Sequence, residues 1–257
     1  MRLLGWLVIG ALLAPVAFAG WVSFSPDSFL TPPTERWSVR WYVAFFHDHR
    51  WIAALGRSLV IAVLAAIVSL VAGGPLAFAV ARYRFRGRTL LAVSVILPAC
   101  VPPAVLGMGL LPLLAFADLW GNPLGLILVH GLLGLPVVYL VARNHLEQTS
   151  RDLEDAARGL GATRWQVTRR VTLPLLQPAL FAGALAAFVI SLNEGMVTIF
   201  LTTPDSETLP AVVWPQLRYA ASPLVAVASG ASTLAALGGI LTLLRLFRRG
   251  LAPKSFS

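Results

Sequence analysis

The chain has 257 residues, of which 58% are apolar and only 12% are charged, and its mean hydropathy is +0.79. This composition excludes a water-soluble globular protein and is typical of an integral membrane protein. The net charge of +9 would also suit a nucleic-acid-binding protein. The basic residues fall on alternate loops, however, so we interpret them as a signal of membrane topology and as a contact with anionic lipid. We therefore expect no nucleic-acid partner.

Six runs of predominantly apolar residues are long enough to cross a lipid bilayer. A membrane-spanning helix needs about 20 such residues. We therefore predict an all-α integral membrane protein, a single transmembrane domain over 1–257, with six transmembrane helices at roughly 3–24, 58–81, 89–113, 123–142, 175–201 and 222–247.

Arginine and lysine are concentrated on one side of the predicted topology. Fifteen of the 20 lie at the two termini, in the 82–88 loop and in the 143–174 loop, and the other five lie in the remaining loops. Short loops rich in these residues stay in the cytoplasm. We therefore predict that both termini and the 143–174 loop are cytoplasmic.

The first span has an alternative interpretation. Arg2, the apolar run and the triplet Ala17–Phe18–Ala19 would also suit a cleavable signal peptide. The run continues to Phe24, and Trp6 and Trp21 near its two ends are typical interfacial anchors. These features favour a retained helix.

The external segment after the first span is rich in aromatic residues between Trp37 and Trp51. We expect it to lie along the outer membrane surface, where Trp, Tyr and Phe pack over helix ends; a contact patch for an external partner is the alternative. His47, Asp48 and His49 lack the further ligands of a metal site, so we predict no metal.

Prolines are predicted to interrupt two spans. Pro98, Pro102 and Pro103 lie in the third span and Pro136 lies in the fourth, and proline removes a helix hydrogen bond. We interpret His130, in the fourth span, as a hydrogen-bonded interior imidazole in preference to a proton relay.

The 143–174 loop contains a predicted helix that begins near Ser150. Ser150 suits an N-cap, acidic residues at 152 and 154 favour the first turn, and Gly161 suits the left-handed residue that closes a helix. Leu153, Ala156, Ala157 and Leu160 then share one face.

A second helix is predicted to follow directly. Thr163 and Gln166 have the spacing of a capping box, and Pro174 is expected to end this helix as the chain re-enters the membrane. The loop is thus predicted to form two short amphipathic helices joined at a tight corner, which would suit a docking surface.

Glu194 is the only acidic residue that these predictions place inside a span. A carboxylate at the membrane centre costs on the order of 3 kcal/mol. Ser191, Glu194 and Thr198, at positions i, i+3 and i+7, form one polar stripe, which we assign, with Asn193, to a substrate pathway. A structural hydrogen bond from Glu194 to a neighbouring helix is the alternative.

The cytoplasmic loop resembles the inner-membrane permease family of binding-protein-dependent ABC importers. The family signature is EAA, three residues, G, nine residues and I-x-LP, and the chain departs from it only by Asp155 for Glu and Val171 for Ile. The resemblance implies a type I ABC importer permease fold in which this loop is a coupling helix inserted into an ATPase subunit. It assigns the ATPase contact to Glu154, Asp155, Ala156, Ala157, Arg158, Gly161, Ala162, Trp165, Val171, Leu173 and Pro174.

The rest of the chain is most similar to the spermidine/putrescine branch, which is grouped with opine and phosphonate importers. The segments that carry this similarity are 38–42, 81–88, 191–194 and 208–210. Many relatives carry Asp at the position of Asn193, so the substrate stays open among polyamines, aminophosphonates, opines and other small solutes.

The resemblance also implies the partners and the place in the cell. It implies two ATPase subunits, a second homologous permease that is usually a different polypeptide, and an extracytoplasmic solute-binding protein. Such an assembly lies in the inner membrane of a bacterium and imports its solute by alternating access.

The sequence contains neither a phosphate-binding G-x-x-x-x-G-K-[ST] loop nor a catalytic constellation. We therefore expect a transport subunit and not an enzyme, with no cofactor bound directly and with ATP and Mg²⁺ on a separate ATPase. The alternative function is a secondary transporter coupled to protons or cations through Glu194. That function does not explain the two capped helices predicted in the 143–174 loop. A membrane enzyme or assembly factor would need a polar catalytic cluster.

Overall fold

A computed structural model describes residues 2–33, 36–219 and 222–251, so the end of the predicted cytoplasmic tail, 252–257, lies outside the described residues. The regular elements in these ranges are helices. In chain order they are α1 (Arg2–Val22), α2 (Arg40–His47), α3 (His49–Arg82), α4 (Arg88–Cys100), α5 (Pro103–Phe116), α6 (Pro123–Gln148), α7 (Asp152–Gly159), α8 (Arg164–Val167), a π-helical turn (Thr168–Thr172), α9 (Leu173–Asn193), α10 (Met196–Leu201), α11 (Leu209–Tyr219) and α12 (Pro223–Leu251).

Five apolar helices of the described chain are long enough to cross a membrane, and there are six spans if one bent pair of helices is counted as a single span. The five are Gly5–Val22, His49–Arg82, Pro123–Gln148, Arg164–Asn193 and Pro223–Arg245. The bent pair is α4 and α5, whose axes differ by 107°. The predicted fold class is confirmed, although several boundaries differ.

The third predicted span, 89–113, is wrong as a single helix. Val101 has extended backbone angles, φ −90° and ψ 130°, because a residue that precedes proline is disfavoured in the helical region. Cys100, the only cysteine of the chain, is exposed at this bend. Pro98, in contrast, lies inside α4 without ending it.

The predicted interruption of the fourth span at Pro136 is also wrong, since α6 runs without a break from Pro123 to Gln148. Its neighbours hold it in place by close contact. A Cβ atom on Gly134 would lie 2.8 Å from Cβ of Ala187, and one on Gly183 would lie 3.0 Å from Cα of Val138. Small residues permit such approach between membrane helices, and tight packing lets a helix tolerate proline.

Helices α3, α6 and α9 therefore form the centre of the molecule. Buried residues of all three helices make up its main apolar clusters. Ser69 of α3 adds a polar link, because its hydroxyl donates a hydrogen bond to the Gly131 carbonyl of α6 at 2.8 Å.

The fifth predicted span, 175–201, is wrong at both ends. A continuous helical segment begins at Arg164 and ends at Asn193, so Pro174 does not end a second short helix. The π-helical turn Thr168–Thr172 precedes the proline, and the Leu173 amide donates to the Thr168 carbonyl, five residues back. This wider turn changes the hydrogen-bond register where proline lacks a donor.

The 143–174 loop is correspondingly shorter than predicted. Helix α6 reaches Gln148 and the next long helix begins at Arg164, which leaves 149–163 as the connection. We call residues 149–172 the elbow.

Helices α2 and α11 cover the end of the bundle opposite the elbow. Phe45 and Trp51 are buried against α11 and α12, and Arg50 forms an ion pair with Glu207 at 2.6 Å. Helix α1, in contrast, is exposed along most of its length, and only 6% of the segment Gly5–Val22 is buried.

Candidate coupling elbow and substrate pathway

The elbow begins with helix α7, whose amino terminus carries three acidic residues. Asp152, Glu154 and Asp155 lie in its first turn, where acids interact favourably with the helix dipole. The Ser150 hydroxyl accepts a hydrogen bond from the Asp152 amide at 3.1 Å. Arg151 occupies the N-cap position itself, so the helix begins one residue later than predicted.

The end of α7 is a complete Schellman turn. Gly161 has a left-handed φ of +88°, as predicted. The Gly161 amide donates to the Arg158 carbonyl at 2.9 Å, and the Ala162 amide donates to the Ala157 carbonyl at 3.1 Å. This pair of bonds satisfies the last free carbonyls of the helix and reverses the chain sharply.

The capping box at the start of the next helix is confirmed. The Thr163 amide donates to Oε1 of Gln166 at 2.8 Å, and the Gln166 amide donates to Oγ1 of Thr163 at 3.3 Å. Both ends of the corner are therefore closed by hydrogen bonds within a few residues, which gives the elbow a defined shape.

Glu154 points into the molecule and attaches the elbow to α3. Its Oε1 lies 2.9 Å from Nε of Arg82 and accepts a bond from the Thr172 hydroxyl at 3.1 Å. The side chains of Glu154 and Arg82 are 6% and 7% exposed. Nη1 of Arg82 and Nη2 of Arg151 donate to carbonyls at the ends of α6 and α3, at 2.9 and 3.0 Å.

The opposite face of the elbow is exposed and partly apolar. Leu160 is 90% exposed, Trp165 is 70% exposed and Leu153 is 56% exposed. A concave surface of about 330 Å³ lies beside Leu160, and its lining includes Ala157, Gly161, Ala162 and Val171.

The structure thus divides the residues assigned to ATPase contact into two groups. Glu154 is buried against α3, whereas Asp155 and Arg158 are exposed and pair with each other at 3.0 Å. Ala156, Leu173 and Pro174 are exposed and Val171 is half-buried. The outward group extends along the chain from α7 to the start of α9, with buried Val167 and Thr172 between its members.

At the far end of α9, the prediction that Ser191, Glu194 and Thr198 form one polar stripe is wrong, because the helix is broken between them. The helix ends at Asn193, Glu194 has extended angles of φ −78° and ψ 112°, and α10 begins at Met196. Gly195 permits this break, since a Cβ atom there would lie 3.0 Å from Cβ of Pro210. Oε1 of Glu194 accepts from the Val197 amide at 2.9 Å, so Glu194 caps α10 instead of bonding to a neighbouring helix.

Ser191 and Thr198 are buried and face His130 of α6. Nδ1 of His130 lies 2.8 Å from Oγ of Ser191, and Nε2 lies 3.1 Å from Oγ1 of Thr198. The Thr198 hydroxyl donates its proton to the Glu194 carbonyl at 3.0 Å, so it accepts from Nε2. The imidazole is therefore hydrogen-bonded on both sides, as the interior interpretation predicted, and it spans the break between α9 and α10.

Asn193 faces a different space. It is exposed, and its amide nitrogen donates to the Val189 carbonyl at 2.9 Å, which leaves its oxygen free to accept. It lines a cavity of about 340 Å³ between α9, α11 and α12 that also includes the hydroxyl residues Ser229, Ser232 and Thr233.

Three contributors to these sites were not predicted. Arg82 pairs with Glu154 across 72 positions, and nothing in the run of arginines from 82 to 88 distinguishes it from its neighbours. Thr172 occupies the variable position of I-x-LP. The hydroxyl residues of α12 follow a spacing of three and four, which predicts one helix face but does not indicate what that face contacts.

Residues 69–255 match the family described as "Binding-protein-dependent transport system inner membrane component". The chain belongs to this family. The permease is 33% identical to the putrescine transport system permease protein PotI of Escherichia coli K12, over 82% of this chain and 78% of PotI. It is 28% identical to the spermidine/putrescine transport system permease protein PotC of the same organism, over 74% of this chain and 72% of PotC.

The fold of the permease is also similar to solved structures. One chain in the structure of the bacterial alginate ABC transporter in complex with alginate pentasaccharide-bound periplasmic protein matches it with a TM-score of 0.75 at 17% identity, over 98% of this chain and 94% of that chain. At this identity the match concerns the fold alone.

The protein is therefore a permease subunit of an ABC importer and a multi-pass inner-membrane protein. It is a transport component and not an enzyme, and permeases of this family work with a partner ATPase. The comparisons do not support a secondary transporter.

Proposed function

We propose that the elbow of this permease transmits the closing motion of an ATPase subunit to the membrane helices. The two-sided construction of the elbow carries this proposal. Buried Glu154 attaches it to α3 through Arg82, while Leu160 and Trp165 on the other face are 90% and 70% exposed. Large apolar side chains exposed close together in the sequence of one loop are typical of an interaction site.

The path of the motion follows the helix that leaves the elbow. The segment Arg164–Asn193 is helical over 30 residues, a length of about 45 Å at about 1.5 Å per residue. It begins at the outward face of the elbow and ends at the cavity beside Asn193. A displacement of α7 is therefore passed to the cavity by α9. It is also passed to α3 through the ion pair of Glu154 with Arg82.

We propose a polyamine as the transported solute, based on the similarity to PotI and PotC. In this proposal Asn193 lines the pathway, since it borders the cavity, and the next residue, Glu194, supplies a negative charge to it. Ser191 and Thr198, bonded to His130, hold the break that presents these two residues.

The complete importer contains two ATPase subunits with bound ATP and Mg²⁺, a second permease encoded by a different gene, and an extracytoplasmic solute-binding protein. In this proposal the whole chain, 1–257, is one transmembrane domain of a bacterial inner membrane. Both termini and the elbow lie in the cytoplasm, where arginine and lysine are concentrated.

Transport by the reconstituted complex tests the function. Liposomes that contain the permease pair and both ATPases, with the binding protein outside, should take up putrescine only when ATP is inside. An ionophore that collapses the proton gradient should leave this uptake unchanged. Retention of a different class of solute by the binding protein would reject the polyamine assignment and leave the importer mechanism intact.

Loss of the outward face tests the coupling role of the elbow. Leu160→Ser should abolish co-purification of the ATPase or reduce it several-fold. Phe116→Ser is a matched control, because Phe116 is also 90% exposed but lies at the end of α5, far along the chain from the elbow. Equal ATPase retention by the two variants would contradict the proposed docking face.

A further inference from the structure

A cavity of about 250 Å³ lies between the end of α3, α7 and the start of the following helix. Four arginines line it, with Glu154 as the single acidic residue; they are Arg82, Arg151, Arg158 and Arg164. The hydroxyls of Thr168 and Thr172 add further polar groups to the lining.

The charges of this arginine cavity are not balanced within the described chain. Glu154 already interacts with Arg82 at 2.9 Å and lies 3.7 Å from Arg158, and Arg158 also pairs with exposed Asp155. Arg151 and Arg164 have no carboxylate partner among the ion pairs of the described residues. The lining therefore carries excess positive charge, which favours an anion.

Arg82 also has an unused donor. Its side chain is 7% exposed, and its Nη2 is buried without a hydrogen-bond partner. A buried guanidinium nitrogen left unpaired is costly, whereas a bound oxyanion would accept a charge-assisted hydrogen bond from it.

An apolar groove of about 520 Å³ adjoins the arginine cavity. The two share part of their lining, including Phe78, Tyr83 and Arg164. Exposed Trp165 borders the groove at the elbow, and the groove continues between α3 and α9 to Leu70 and Leu180. A charged end and an apolar extension therefore lie side by side, which is the distribution of polarity in a phospholipid.

We propose that the arginine cavity and the apolar groove together bind one anionic phospholipid. The phosphodiester lies among the guanidinium groups, and an acyl chain lies in the groove between α3 and α9. Basic pockets between transmembrane helices recognise anionic headgroups in this way. Such a lipid contacts α9, which leaves the elbow, and α3, to which Glu154 attaches the elbow. It therefore stabilises their junction, and the site is independent of the identity of the transported solute.

Lipid retention by the purified complex tests the site. The complex is placed in nanodiscs of equal parts dioleoylphosphatidylglycerol and dioleoylphosphatidylcholine, and the lipid that remains bound after transfer to detergent is counted by native mass spectrometry. We expect phosphatidylglycerol to be retained several-fold over phosphatidylcholine. Equal retention of the two lipids, or none because another subunit covers the groove, would overturn the proposal.

Two matched variants locate the headgroup. Arg164→Gln should weaken phosphatidylglycerol retention about tenfold, the loss expected for one charge-assisted hydrogen bond. Arg169→Gln makes the same change of charge on the same helical segment but lines neither space, and it should retain lipid like the wild type. The same loss in both variants would show attraction by the general surface charge and reject the site.

A third variant separates a lipid from a free phosphate ion. Leu70→Trp fills the far end of the groove without changing the charge, so it should reduce phosphatidylglycerol retention and leave any effect of inorganic phosphate on thermal stability unchanged. If inorganic phosphate alone stabilises the complex and Leu70→Trp retains lipid normally, the site is a phosphate site and the phospholipid proposal is wrong.

Discussion

Two adjacent acidic residues in the elbow have opposite environments. The side chain of Glu154 is 6% exposed and pairs with Arg82, whereas the side chain of Asp155 is 63% exposed and pairs only with Arg158. Breaking a buried ion pair leaves an uncompensated charge in the interior, while an exposed pair contributes little. The two residues therefore separate the internal attachment of the elbow from its outward surface.

Glu154→Gln should destabilise the permease strongly, by about 3–5 kcal/mol, because Arg82 then has no carboxylate partner. Asp155→Asn should change stability by less than about 1 kcal/mol. Thermal unfolding followed by tryptophan fluorescence in detergent measures both. A Glu154→Gln protein with the thermal midpoint of the wild type would contradict the attachment of the elbow through this ion pair.

Glu194 combines a negative charge with a structural hydrogen bond to the Val197 amide. Two substitutions separate the contribution of the charge from that of the hydrogen bond. Glu194→Gln removes the charge but keeps an oxygen that accepts from the Val197 amide, a bond of 2.9 Å in the native protein. We expect this variant to fold normally and to lose putrescine uptake. Glu194→Ala should lose about 1 kcal/mol of stability in addition, because the cap of α10 is absent.

Uptake by Glu194→Gln decides the role of the charge. Wild-type uptake in this variant would mean that Glu194 only caps α10. Asn193→Ala supplies an independent test of the same pathway, since it removes the free acceptor beside the hydroxyl residues of α12.

The shape of the elbow depends on one backbone conformation. Gly161 has a φ of +88° and no heavy atom within 4 Å of the position that a Cβ atom would occupy. Alanine at this position therefore meets no steric contact beyond its own backbone, and its cost is the left-handed conformation alone, about 1–2 kcal/mol.

Gly161→Ala should accelerate amide hydrogen exchange in the turn after α7 about tenfold and weaken the coupling of ATP hydrolysis to uptake. Gly159→Ala is the matched control, because Gly159 lies in α7 with equally open surroundings. At a position with helical backbone angles, alanine stabilises the helix relative to glycine. Equal exchange in both variants would show that the turn does not need the left-handed residue.

The elements of the elbow were predictable where the signals are local. Gly161 closes α7, and Thr163 and Gln166 start the next helix, because each depends on residues within four positions. The partner of Glu154 lies 72 residues away, so no local pattern identifies it. Pro174 was misinterpreted because a π-helical turn, which has no sequence signal of its own, accommodates it.

The pathway was harder to predict than the elbow. Hydropathy indicated a membrane segment up to 201 but did not detect the break at Glu194 and Gly195, which covers only two residues. That break turns Ser191 and Thr198 towards His130 and leaves Asn193 exposed. The positions of these side chains depend on contacts of α9 and α10 with α6 and α12, which are distant in sequence.

At the scale of the whole molecule, the elbow precedes α9 and the 202–208 loop follows α10, at the opposite end of this segment. We expect the first to be cytoplasmic and the second to be external. On a Cys100→Ser background, Arg86→Cys and Asp205→Cys each introduce one exposed thiol. A membrane-impermeant maleimide should label Asp205→Cys in intact cells and Arg86→Cys only after permeabilisation. Labelling in the reverse order would invert the proposed orientation.

The bend between α4 and α5 makes the native chain suitable for spectroscopy. Cys100 is exposed, it occupies the last position of α4, and it is the single thiol available for chemistry. A fluorophore or nitroxide attached there reports from a 107° corner without any engineered substitution. Emission or electron-spin signals from that probe would show whether this corner moves during turnover of the importer.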